Sequence, residues 1–144
     1  MHFEGSHTFS ASREVLWQLL NDPQVLARAT PGVKELKPAG RDQYRALFDI
    51  KLGPINSSFS GTLKVVDKQA PSGYRLLIDV DGKIGHIKAE GRVALEGDGQ
   101  STLLKVQGGS QLSGTLARLG QRLLSGVARM FTNQFFKALE REIP

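Results

Sequence analysis

The sequence contains no cysteine, which excludes disulfides and thiolate metal sites and leaves the redox compartment open. Histidine is scarce too. The three histidines, His2, His7 and His86, form no H-E-x-x-H or other close pair, so no metal site is expected. Asp79-Val80-Asp81-Gly82 has the opening of a calcium loop, but no bidentate Glu follows at the needed distance, and the stretch reads as a hairpin turn. No Gly-rich phosphate cradle and no G-x-S-x-G elbow occur. No uninterrupted apolar run approaches the ~18 residues of a membrane-crossing helix, and Met-His-Phe-Glu is not a signal-peptide start. A cytoplasmic protein is the expectation. The basic residues lack interleaved aromatics, so nucleic acid is not an expected partner.

What is present is enough apolar material for a core: 40% of 144 residues, so residues 1–144 read as one domain. Lys and Arg number 19 against 14 Asp and Glu, a net charge of +5. Residues 112–144 carry five basic and two acidic groups, so a net +3 falls on the C-terminal stretch. Such an excess suits contact with an acidic membrane surface; a solvated helix face carries it equally well.

That stretch organises the rest of the chain. Over residues 113–142, Leu116, Leu119, Leu123, Val127, Met130 or Phe131, Gln134, Ala138 and Glu142 step by three or four, the spacing of one helical face. Leu124, Ala128, Phe135 and Leu139 widen the stripe, and Arg118, Arg122, Arg129, Lys137 and Arg141 form the polar side. The spacing predicts one amphipathic helix about 45 Å long, which needs an equally long apolar surface to lie on. Gly120 and Gly126 fall inside it, and each costs about 1 kcal/mol relative to Ala, so a packing or spacing reason is expected for both.

Residues 2–10 alternate like an edge strand. Ser12 can cap a helix carrying Val15, Leu16, Leu19 and Leu20, and Asp22-Pro23 can cap and start a second with Val25, Leu26 and Ala29, ended by Pro31-Gly32. From residue 33 to 112 the period is two. Inward positions are Tyr44, Ala46, Phe48 and Ile50; Phe59, Gly61, Leu63 and Val65; Tyr74, Leu76, Ile78 and Val80; Gly85, Ile87, Ala89, Gly91, Val93 and Leu95; Thr102, Leu104 and Val106. Turn chemistry separates them at Pro38-Ala39-Gly40, Gly53-Pro54, Pro71-Ser72-Gly73, Asp81-Gly82 and Gly97-Asp98-Gly99. The expected fold is α+β: a curved antiparallel meander of six or seven strands wrapped around the long C-terminal helix, with two short helices closing one end. Small inward residues, Gly61, Ala89 and Gly91 among them, either let the layers close tightly or leave a hollow. The pattern alone leaves both open.

Several stretches carry a resemblance. Thr30-Pro31-Gly32-Val33, Leu52-Gly53-Pro54-Ile55 followed by Phe59-Ser60-Gly61, Gly91-Arg92-Val93-Ala94-Leu95, and Gly114-Thr115-Leu116-Ala117-Arg118-Leu119-Gly120-Gln121-Arg122 leading to Phe135-Phe136 are similar to the CoxG family, the G subunits of carbon monoxide dehydrogenase, in order over nearly the whole chain. Two positions depart from the family pattern: Val33 stands where Cys is common, and Ser113-Gly114 where a Gly pair is common. The resemblance implies the START-like, helix-grip (SRPBCC) fold, in which a curved sheet grips a C-terminal helix around an apolar cavity. It also implies an accessory subunit of a molybdenum hydroxylase of the carbon monoxide dehydrogenase type, concerned with membrane attachment or with lipid or quinone handling.

The functional expectation is therefore a non-enzymatic protein, peripheral at the inner membrane, that holds a hydrophobic small molecule such as a quinone or lipid and carries no metal or covalent cofactor. The expected lining is Phe48, Phe59, Gly61, Leu63, Leu76, Ile78, Ile87, Ala89, Gly91, Leu104, Leu116, Leu119, Gly120, Leu123 and Val127, with Arg118, Arg122 and Arg129 facing a membrane or partner. The alternative is a cyclase or dehydratase acting on a polyketide-like substrate. That chemistry needs a paired acid or base on the inner face, and the alternation supplies none.

Overall fold

The computed structural model describes residues 1–97 and 99–144; Asp98, the middle of the expected Gly97-Asp98-Gly99 turn, lies outside them. The chain opens with β1 (His2–Phe9), followed by α1 (Arg13–Leu20) and α2 (Pro23–Ala29). Both helix starts use their expected caps. Ser12 Oγ accepts from the Val15 N–H at 3.2 Å, and Asp22 Oδ1 accepts from the Gln24 N–H at 2.9 Å with Pro23 in the first turn. There follow β2 (Val33–Gly40), β3 (Gln43–Leu52), β4 (Ile55–Gln69), β5 (Gly73–Gly82), β6 (Gly85–Gly97) and β7 (Thr102–Leu112). The described residues form one seven-stranded sheet in the order β1-β7-β6-β5-β4-β3-β2, antiparallel throughout: a meander from β2 to β7, with β1 added beside β7.

The C-terminal stretch corrects the expected single helix. A short 3-10 helix spans Gly114–Arg118, and α3 begins only at Gln121 and runs to Glu140, about 30 Å long. The break has two causes. The Ser113 and Leu116 N–H groups donate to His86 O at 3.1 Å and Ile84 O at 2.9 Å, so the β5–β6 hairpin takes donors that an α-helix would leave free or use internally. Then Gly120 adopts φ +88°, a conformation that L side chains rarely adopt and that no α-helix passes through. This also answers for the helical Gly120: it is the residue before the helix, not one inside it.

The break shifts the helical phase. Leu116 is buried and Leu119 half-buried, but Leu123, expected inside, is 40% exposed, and Leu124 takes the inward place. Met130 at 41% exposed and Gln134 likewise turn outward, and the inward stripe of α3 is Leu124, Val127, Ala128, Phe131, Phe135, Phe136 and Leu139.

Buried apolar side chains gather in two clusters. One joins Phe9, Leu16, Leu20, Val25, Tyr74, Val93, Leu95 and Leu104 to Phe136 and Leu139 of α3; the other joins Ala46, Phe48, Ile55, Phe59 and Val80 to Leu116 and Leu124. They pin α3 at its two ends. Arg28 of α2 adds a tether to Glu142 beyond α3, its Nη2 lying 2.5 Å from Oε1.

Candidate functional site

Between the two clusters, sheet and helix face each other without closing. Along α3 the inward stripe is buried at Leu124, half-buried at Val127, Ala128, Phe131 and Phe135, and buried again at Leu139. The sheet beneath mirrors it: Leu63, Leu76, Ile78, Ala89, Gly91 and Val106 all point inward and all remain half-buried. Leu76 and Val106 pack at the margin of the first cluster and Leu63 and Ile78 at that of the second, so the gap lies over Ala89 and Gly91. The chief contacts of α3 are with α2, β1 and β3, so the helix bridges the sheet's flanks over its middle strands.

The floor of this hollow lies across β5, β6 and β7. The register places Leu76 beside Gly91 and Gly91 beside Gly108, and on the next inward rung Ile78 beside Ala89 and Ala89 beside Ser110. A Cβ built on Gly91 would meet nothing nearer than Gln107 O at 3.9 Å, so the space above that residue is open. Gly61 is different. Its Cβ would run into Asp79 O and the Val80 Cα of the neighbouring strand, so its smallness serves strand packing and leaves no void.

The remaining expected lining residues divide by location. Phe48, Phe59, Leu104 and Leu116 are packed into the clusters that end the hollow, and Ile87 and Leu119 pack half-buried against the second of them. Val127 belongs to the roof. Gly120 is exposed at the helix break, and Leu123 lies on the outer side of α3. Alternation over β1 also places Phe3, Gly5 and His7 on the inner side, a role that the edge-like pattern of that strand does not announce. His7 packs edge-on to Phe9 with centroids 4.7 Å apart and stacks on Phe136 at 5.6 Å, with Nε2 buried 3.6 Å from Glu140 Oε1.

The electrostatics of the interior are quiet. His7 lies beside Glu140; the ion pairs of Arg75 with Asp67 and Glu90, of Lys105 with Glu96, and of His86 with Asp79 and Asp81 involve groups on the outside. Burial pushes the Tyr74 phenol far up, and burial followed by the nearby Asp42 pushes Tyr44 up, so neither ionises near neutral pH. Ser110 Oγ is buried without a hydrogen-bond partner beside Ala89. His7 and the two tyrosines are further polar groups on the inner side.

The β3–β4 turn meets α3 beside the second cluster. A Cβ on Gly53 would lie 3.5 Å from Val127 and 3.6 Å from Met130, so the turn and α3 meet there. Leu52, Ile55 and Leu116 are buried and Leu112 half-buried; the exposed apolar rim is Leu123, Met130 and Pro54. Arg118, Arg122 and Arg129 are exposed around it, and the last two are seven residues apart on one side of α3. No helix among the described residues is long and apolar enough to cross a membrane.

Comparison with known proteins agrees with this fold. A conserved protein from Geobacillus kaustophilus superposes with a TM-score of 0.96 at 30% identity, over 99% of this chain and 95% of that one. A START superfamily protein from Mycobacterium smegmatis gives a TM-score of 0.77 at 18% identity, over 99% and 96%. A protein from Thermus thermophilus gives 0.71 at 16% identity, over 99% and 97%. The fold is thus START-like. Comparison with curated proteins gives no match. The sequence pattern of CoxG, the G subunit of carbon monoxide dehydrogenase, matches residues 5–144, and the chain belongs to that family.

Proposed function

We propose that this protein is a non-enzymatic accessory subunit that holds a long apolar molecule, a quinone or an acyl lipid, between its sheet and α3. It would serve a molybdenum hydroxylase of the carbon monoxide dehydrogenase type from the cytoplasmic side, docking transiently on the membrane where its ligand resides. The observation that carries the reading is the open space above Gly91 beneath a half-buried helical stripe. Family membership supports the accessory role.

The energetics suit such a ligand. Burying each methylene yields about 0.8 kcal/mol, so a ten-carbon tail contributes roughly 8 kcal/mol against association costs of at least about 4 kcal/mol. Shape and hydrocarbon contact therefore supply most of the affinity, and few polar groups are needed. A cyclase or dehydratase would require a matched acid and base on the inner face. The inward polar groups found here, Ser110, His7 and the protonated tyrosines, favour the binding role.

Mass spectrometry of organic extracts from the purified protein tests the reading. A quinone or acyl lipid should co-purify in near-stoichiometric amount. An empty protein that also takes up no apolar fluorophore would refute it.

A further inference from the structure

We infer that the uncovered end of β3 is a docking edge for an extended acidic peptide of a partner protein. This surface is distinct from the hollow and does not depend on what fills it. β2 begins opposite Phe48, and its side of β3 is last engaged where the Asp49 N–H donates to Gly32 O at 2.7 Å. β3 itself continues to Leu52, paired only with β4. Residues of an antiparallel strand alternate their N–H and C=O between the two neighbours. Asp49 turns its N–H toward β2, so Lys51 turns both of its backbone groups the same way, past the point where β2 has ended. Among the described residues no backbone group completes them.

The free groups of Lys51 face a groove of about 370 Å³ between the loop at Pro31, Gly32 and Val33, the strand end at Ile50 and Leu52, and Gln134 of α3. An added strand would exchange two hydrogen bonds with Lys51. The residue opposite Lys51 would share its outer face, and that residue's neighbours would point inward over Val33, Ile50 and Leu52. Asp49 pairs with Lys34 Nζ at 2.7 Å and accepts from the Ser58 hydroxyl, and Lys51 acts on the same carboxylate, so two lysines face one acid and the edge keeps a positive excess. The edge therefore fits a segment alternating apolar, acidic, apolar. A second copy fits poorly, because two-fold antiparallel pairing centred here would set Lys51 against Lys51.

The β2 edge is guarded by Lys34, Glu35, Lys37 and Pro38 and by two register shifts.

The probe is the capped peptide acetyl-Thr-Val-Glu-Val-Thr-amide, titrated into isotope-labelled protein. Binding should shift the amides of residues 31–34, 49–52 and Gln134, and slow hydrogen exchange at Lys51. N-methylating the peptide's Glu should abolish it. Lys51→Pro, which removes the free donor together with the charge, and Lys51→Glu, which keeps the donor and reverses the charge, should each weaken binding at least about tenfold. Unchanged binding in both variants, undiminished binding of the N-methylated peptide, or absence of binding at millimolar peptide would overturn the inference. Self-association that shifts the same amides without peptide would assign the edge to a second copy, and would overturn it too.

Discussion

Gly91 decides between a hollow and a filled core. In a close-packed interior, adding a side chain of leucine size costs typically about 1–3 kcal/mol through overpacking. Above Gly91 there is room, so Gly91→Leu is expected to change the melting temperature little while reducing uptake of an apolar fluorophore severalfold. A large fall in melting temperature, with no uptake by the parent, would mean that the layers touch in solution. Leu116 offers the contrast. It is 1% exposed and fixes the 3-10 segment to the hairpin through the second cluster, so Leu116→Ala should cost about 2–5 kcal/mol in denaturant unfolding. At this scale the sequence could not decide. A glycine facing inward on a strand looks the same whether it admits a backbone, as Gly61 does, or admits nothing, as Gly91 does.

Among elements, α3 is pinned near its two ends by the two core clusters. The Arg28–Glu142 tether fastens its far end to α2. Hydrogen bonding from Arg28, followed by its charge, holds the Glu142 carboxyl below the usual carboxylate range. A carboxylate depressed in the folded state contributes stability that is present at neutral pH and is lost as pH falls through the folded pKa. Acid should therefore loosen the C-terminal turn first. Protection factors at residues 141–143, taken relative to the intrinsic exchange rate at each pH, are expected to fall in mild acid in the parent, and to be already low and independent of pH in Glu142→Gln. Equal profiles in the two proteins would mean that the tether does not hold this turn.

The strands and both short helices were legible because each follows a local rule: period two between turn residues, or a capping side chain before an apolar run. The helix break was not. Leu116, Leu119, Leu123 and Val127 keep a spacing of three or four straight across Gly120, so the apolar pattern runs on where the backbone does not. What stops the helix is a hydrogen-bond competition with Ile84 and His86, about thirty residues upstream, and a glycine conformation that no pattern of hydrophobicity records. The consequence is functional, since the phase shift moves Leu123 and Met130 out to the rim.

For the whole molecule, the exposed apolar residues where α3 meets the β3–β4 turn form a surface patch. Leu123 and Met130 are 40% and 41% exposed on either side of Gly126, with Pro54 facing them from the β3–β4 turn. No acidic residue occurs from position 113 to 139, while Arg118, Arg122 and Arg129 lie exposed there. Anionic lipid attracts each nearby arginine by about 1 kcal/mol, an attraction that fades over a Debye length of about 8 Å at physiological salt. Three arginines then supply roughly 3 kcal/mol, about a hundredfold in partitioning, which supports transient docking and not stable anchoring. Co-sedimentation should show binding to vesicles containing phosphatidylserine that falls between low and physiological salt, and that weakens when Arg118 and Arg122 become Gln. Leu123→Ser with Met130→Ser should remove the part that salt leaves behind, since those side chains would enter the interface. Gly91→Leu, deep in the floor, should bind vesicles as the parent does, which separates docking from loading. Equal binding to neutral vesicles at every salt concentration would show insertion without electrostatics, and binding to neither would assign the membrane step to another protein.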